Sequence, residues 1–219
     1  METHAVKSTL AFAAVAGVVA IVSLGGALSW SGAAHAQPLL ARPSIVPVAW
    51  ELDFTHDRPR TFLAEHGDGS VGWYLYVTYK VTNRSGGVRV FVPEMILATE
   101  LGHIRRAGEC VSARVTEQII RHVGNPMLEN PNRVVGHIFE GEEHARESVA
   151  VWPMPDPEVT HTRLFFGGLS GETQVVRDPV TGDSVLTDKV LMVTYRLPGQ
   201  PATPHRRPFV ELERRWVMR

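Results

Sequence analysis

From Trp73 to Thr82 the chain places large apolar or aromatic residues at every odd position, namely Trp73, Leu75, Val77, Tyr79 and Val81. Tyr74, Tyr76, Thr78, Lys80 and Thr82 take the even ones. A two-residue period held over ten positions, rich in β-branched and aromatic types, predicts a half-buried strand with its odd face in the core. Tyr74 and Tyr76 are then expected on the outer face, apolar in body and polar at the tip. A shorter alternation at residues 48–54 puts Trp50, Leu52 and Phe54 on one side and predicts an earlier strand. After the long strand, Asn83-Arg84-Ser85-Gly86-Gly87 supplies residues that tolerate positive φ. A second strand, Val88-Arg89-Val90-Phe91-Val92, follows it at once. Pro93 cannot donate to a ladder and marks an edge or a bulge before Met95-Ile96-Leu97.

Between residues 109 and 124 the period changes. Val111, Val115, Ile119 and Val123 recur every fourth position, with Arg114, Glu117, Gln118 and Arg121 elsewhere, and Gly124 and Pro126 follow. That pattern predicts a short amphipathic helix lying against the sheets. Further strands are predicted at residues 148–152, stopped by Pro153, Pro155 and Pro157, at 160–166, at 185–197 and from about 209 to 216. Residues 178–183 form a hairpin tip by composition, flanked by Val175-Val176 on one side. The remainder reads as loops: 55–69 with a helical turn at 61–65, 125–132, and the charged stretch 141–146. Seven or eight strands with one helix, and no alternation of strand and helix, predict a mainly β antiparallel sandwich.

The run Val77-x-Tyr79-x-Val81-x-Asn83-x-Ser85-Gly86, followed by Val88-x-Val90-Phe91-Val92-Pro93, resembles the strand pair of bacterial immunoglobulin-like extracellular domains. Val149-Ala150-Val151-Trp152-Pro153 and residues 164–169 are similar to the late strands of such domains. The resemblance covers about half of the chain after residue 36. It implies an immunoglobulin-like β-sandwich outside the cytoplasm, in an exported protein, and brings no catalytic or ligand-binding residues with it. The helix and the missing Cys-Trp-Cys core depart from the antibody-type pattern.

Residues 1–36 read as a signal segment. Lys7 gives a positive start, residues 10–28 carry no charge, and Ala34-His35-Ala36 offers a cleavage site before Gln37. The apolar run approaches the roughly 20 residues of a bilayer-spanning helix, so an uncleaved anchor over residues 8–30 is the alternative. Cleavage leaves residues 37–219 as a single domain, enough chain for one sizeable core.

Composition narrows the chemistry. The 219 residues are 44% hydrophobic and 21% charged, with 22 Lys+Arg against 23 Asp+Glu and a formal charge of −1. No single-sign field exists to recruit nucleic acid. The one cysteine, Cys110, permits no internal disulfide and is expected to pack as a small buried residue. Beyond His4 and His35, the histidines are His56, His66, His103, His122, His137, His144, His161 and His205, none at the short spacing that makes a local metal site. Gly168-Leu169-Ser170-Gly171 is followed by Glu172 where a nucleophile elbow needs its second glycine, so a turn is the simpler reading of Ser170. Glu51 with Asp53, and Glu211 with Glu213, are expected on solvated strand faces, and Glu142 with Glu143 in a loop. Neither a G-x-x-x-x-G-K-[ST] nor a G-x-G-x-x-G phosphate loop occurs. The Asn83-Arg84-Ser85 sequon is explained by its turn.

The expectation is an exported, non-catalytic structural or interaction module of the cell envelope, periplasmic or extracellular. It has no cofactor, and its partner is another envelope protein or polymer, met through sheet edges, loops or the tyrosines Tyr74 and Tyr76. The alternatives are a metal-handling protein using spatially gathered histidines and a hydrolase of unknown type.

Overall fold

The computed structural model describes residues 41–156, 158–178, 180–197 and 209–219. Residues 1–36, expected to form a signal segment, and His205 lie outside the described residues. In chain order the strands are β1 (Asp53–His56), β2 (Arg60–Glu65), β3 (Val71–Asn83), β4 (Arg89–Phe91), β5 (Glu94–Thr99) and β6 (Ile104–Arg106). The helix α1 (Ala113–Val123) follows, then β7 (Leu128–Glu129), a 3₁₀ turn (Pro131–Arg133) and β8 (Gly136–Ile138). The chain closes with β9 (Gly141–Pro153), β10 (His161–Gly167), β11 (Thr173–Arg177), β12 (Ser184–Arg196) and β13 (Val210–Met218). Thirteen strands among the described residues replace the seven or eight expected, because several short or charged segments pair as well.

Two long strands organise the ladders. β3 carries β1 and β2 end to end along one edge and β9 along the other, and β7 pairs in parallel with β9. β12 repeats the device with β10 and β11 end to end along one edge and β13 along the other, and β5 and β6 extend the sheet beyond β10. A third, two-stranded ribbon pairs β4 with β8. Leu75, Val77, Tyr79 and Val81 of β3 share one buried cluster with Leu97, Leu164, Phe166, Val193 and Tyr195 from the second large sheet. This shared core is compatible with a sandwich. Each fully buried Leu or Phe contributes roughly 1.5–3 kcal/mol by leaving water.

Two segments expected as loops are strands. Residues 61–65 form β2 rather than a helical turn. The charged stretch 141–146 is the first half of β9, where Glu142 pairs with Lys80 and Arg84, and Arg146 with Glu129 at 3.1 Å. Charges on an outer sheet face satisfy one another there, so hydropathy hides the strand.

The helix lies where expected and has a larger effect than expected. The Ser112 hydroxyl caps it by accepting the Val115 N–H, and Gly124 ends it in the left-handed region at φ 68°. Gln118 clamps it to β2, its amide donating to the Glu65 carbonyl at 2.8 Å and accepting the Glu65 N–H at 3.2 Å. Val115 and Ile119 then pack on Ala64, Tyr74, Tyr76, Val149 and Val151. Tyr74 and Tyr76 are therefore buried and cannot serve as contact residues, contrary to the expectation from alternation. Among the described residues, no helix is long and apolar enough to cross a membrane.

Candidate functional site

The histidines do not converge. His66 meets the Tyr74 hydroxyl at 3.4 Å, His122 lies 4.9 Å from the Phe62 ring, and His144 lies 5.6 Å from Phe139. His161 Nδ1 sits 2.8 Å from the Thr160 hydroxyl, and the His103 backbone N–H donates to Thr99 Oγ1 at 3.2 Å. His137 faces Val90 across the β4–β8 ribbon. Among the described residues, no group of three or more His, Cys, Asp or Glu could hold a metal ion. Cys110 is exposed, at φ 58° in a turn, and not buried as expected. Burial was the wrong inference because the turn before α1 faces it outward.

The paired carboxylates separate into unrelated contacts. Asp53 faces Arg84 at 3.5 Å on the surface, whereas Glu51 turns inward to Lys189 at 2.5 Å. Lys189, 3% exposed, also meets the buried Glu172 at 3.1 Å. Glu172 in turn accepts the Ser44 N–H at 2.8 Å, and Lys189 donates to the Ser44 carbonyl at 3.4 Å. Burial alone would lower the Lys189 ammonium, but its bonds to Glu51 and Glu172 outweigh that and hold it above the usual lysine range. The Ser44 N–H, followed by Lys189, keeps Glu172 below the usual carboxylate range. Glu172 is thus a structural anion, and the Ser170 hydroxyl only accepts its N–H at 3.1 Å. Glu211 stays on the exposed face as expected, where it accepts from the Tyr195 hydroxyl at 3.4 Å and from Arg214 at 2.9 Å, and Val210 and Leu212 are exposed as well. The β12–β13 ladder shifts register at Thr194/Tyr195 beside it. Glu213 pairs on the surface with Arg215 at 3.2 Å, and Glu143 with His144 at 3.9 Å.

His56 sits between the sheets, stacked on Phe166 at 4.8 Å with Phe54 at 5.7 Å. Its Nδ1 lies 2.8 Å from the Asp57 carbonyl, and its buried Nε2 has no partner. Burial lowers its pKa, and the Arg214 guanidinium lowers it further against the opposing pull of Asp57 and Glu211. Burial likewise pushes the Tyr79 hydroxyl up to about 12 and that of Tyr195 higher still. These groups rest neutral inside the fold.

The most distinctive surface is the outer face of the β4–β8 ribbon. Asn83 positions it: the buried amide donates to the carbonyls of Gly87 at 2.7 Å and Ile138 at 2.9 Å, while its oxygen accepts the Ser85 N–H and hydroxyl. Phe91 and Ile138 drop into the core, and the Arg89 guanidinium bonds Ser85 and lies 5.6 Å over the Trp50 ring. Gly168 lets the backbone come close: at φ 79°, an added Cβ would sit 2.2 Å from the Val92 carbonyl oxygen. With these groups inside, Val88, Val90 and Val92 must face out. The register Arg89↔Ile138, Val90↔His137 and Phe91↔Gly136, carried one residue past each end, sets them against Phe139, His137 and Val135. The five apolar members are 49–56% exposed. A cleft of about 520 Å³ opens beside this face, lined in part by Val92, Pro93, Met95, Ala107 and Val135.

The face was missed in the sequence because alternation gives the period of a strand and not its direction. The available signal was Phe91, the bulkiest residue of its strand, standing opposite three valines. Comparison of the chain with family models, with characterised proteins and with solved structures returned no match.

Proposed function

We propose that this chain is an exported, non-catalytic interaction module of the cell envelope, an immunoglobulin-like sandwich that works by presenting a sheet face to another macromolecule. The observation that carries the reading is the uncharged outer face of the β4–β8 ribbon, five large apolar side chains about half exposed. Contiguous apolar patches on soluble proteins mark interaction sites, whereas scattered ones do not. The export segment at residues 1–36 and the shared core of the two large sheets support the address and the architecture. The ionisable groups support a non-catalytic role, since the buried Lys189 and Glu172 are committed to an ion-pair network with Glu51 rather than to an open cleft.

The test places a photo-cross-linking residue at position 90 in the producing cell, with position 181 on the hairpin tip as control. The expected result is adducts from position 90 only, on a protein recovered outside the cytoplasm whose N-terminus by mass spectrometry is Gln37. Retention in the cytoplasm, or equal labelling from both positions, overturns the reading.

A further inference from the structure

We infer that the outer face of the second large sheet is a docking platform for an anionic polysaccharide. This surface is separate from the β4–β8 ribbon, and only the choice of polymer rests on the export reading above. Leu97, Leu164, Phe166, Val193 and Tyr195 enter the shared core, so the alternate residues of the same strands face out. Ile96, Phe165, Met192 and Arg215 form one row of that outer face, and Arg106 extends it on β6. Arg163 stands two positions from Phe165 along β10, and Arg196 four from Met192 along β12. Arg219 reaches back over the Phe165 ring at 4.4 Å. All five arginines are exposed.

Three carboxylates share the face, those of Glu94, Glu213 and Asp188. Glu94 holds Arg106 at 3.3 Å and Glu213 holds Arg215 at 3.2 Å, whereas Arg163, Arg196 and Arg219 make no ion pair among the described residues. Five positive against three negative groups give this face a charge of +2 in a chain whose total is −1. The near-neutral total therefore conceals a one-sided field, which draws anions to this sheet. The arginines spread from β6 to β13 across four strand spacings, about 19 Å at ~4.8 Å each. No single small ion touches them all, but a chain of repeated anionic groups does. Arginine stems lie along the sheet while their forks meet carboxylate, sulfate or phosphate oxygens. Ile96, Val190, Met192 and Val217 beneath them are only 4–8% exposed, and Phe165 lies under Arg219. The centre of the face thus offers neither apolar groups to insert into lipid nor a bare ring to stack a nucleotide base. A hydrated polyanion needs only the charges.

Electrophoresis of the exported protein through gels containing polygalacturonate, with dextran as the uncharged control, tests this. The expected result is retardation by polygalacturonate alone, half-maximal on the order of 10 µM at about 50 mM salt and at least tenfold weaker at about 200 mM. Arg163→Gln with Arg196→Gln should weaken binding about tenfold and leave the thermal midpoint unchanged. Arg114→Gln with Arg121→Gln, exposed on α1, removes the same charge from another surface and should bind as the wild type does. The inference is overturned by an absence of retardation at the lower salt, by equal retardation in dextran, or by equal losses from the two double variants. Tighter binding to phosphatidylglycerol vesicles or to duplex DNA than to polygalacturonate overturns it too. Cross-linking from position 90 without polygalacturonate binding removes this inference alone, and the reverse outcome removes the ribbon reading alone.

Discussion

β3 and the β4–β8 ribbon carry the same binary alternation and resolve it in opposite ways. In β3 the odd, apolar side enters the core with Leu75, Val77, Tyr79 and Val81, and the helix then covers the tyrosines on the other side. In the ribbon the three valines face out, because Phe91 and Ile138 take the inward places and Arg89 is held by Ser85 and Trp50. The difference teaches that period fixes the strand, whereas volume competition and a few polar anchors fix its direction.

Emptying the inward side of the ribbon is the hardest test of that contrast. Phe91→Ala should cost about 3–5 kcal/mol in chemical denaturation, since Phe91 is fully buried. A loss under about 1 kcal/mol would mean the ribbon is not seated in the core. On the opposite side of β3, Ile119→Ala should cost about 2–4 kcal/mol and lower the helical signal at 222 nm together with the sheet signal. Helix melting well ahead of the sheets would show that the cover is a separate cooperative unit.

Asn83→Ala removes the anchor without emptying the core. It leaves the Gly87 and Ile138 carbonyls without their donor and should cost about 1–3 kcal/mol. Amide hydrogen exchange should accelerate in β4 and β8 more than in β3.

Acid probes β1, which runs beside β3 at His56↔Tyr79. The folded state depresses the His56 pKa, so below the ordinary imidazole value of 6.5 the unfolded chain takes up the proton first. Stability should therefore fall as pH drops from 6.5, by at most about 1.4 kcal/mol per pH unit, until the folded form also protonates. The depressed carboxylates Glu172 and Glu211 lose their contribution only on further acidification, below the usual value of 4.5. His56→Gln should flatten the profile between pH 6.5 and 5, and an unchanged slope would remove His56 as its cause. The smallest effect is Val90→Thr, expected within about 0.5 kcal/mol because the side chain faces solvent. A larger loss would place Val90 inside.

Much of the fold was legible. The alternation of β3, the capped helix between Ser112 and Gly124, and the 178–183 tip each depend on neighbours in sequence, and each formed where expected. The charged half of β9 and β8 were hidden because their partners in β3 and β4 lie 45 to 65 positions away, whereas β2, β6 and β7 are only two to six residues long and carry no sustained alternation. The candidate face was illegible for the same reason. It depends on Asn83 reaching Ile138 and on Gly168 admitting the Val92 carbonyl, contacts between segments 55 and 76 positions apart.

The bonds that Ser44 makes with Glu172 and Lys189 have a mechanical consequence. Tension applied to the chain upstream of residue 44 would load this clamp before reaching the ladder of β1. Because Lys189 and Glu172 are shielded from water there, rupture would be abrupt rather than gradual, like a latch. A tether leaving from that end would transmit force to the β12 backbone through Lys189, and the outward ribbon face would stay unstrained while the latch holds.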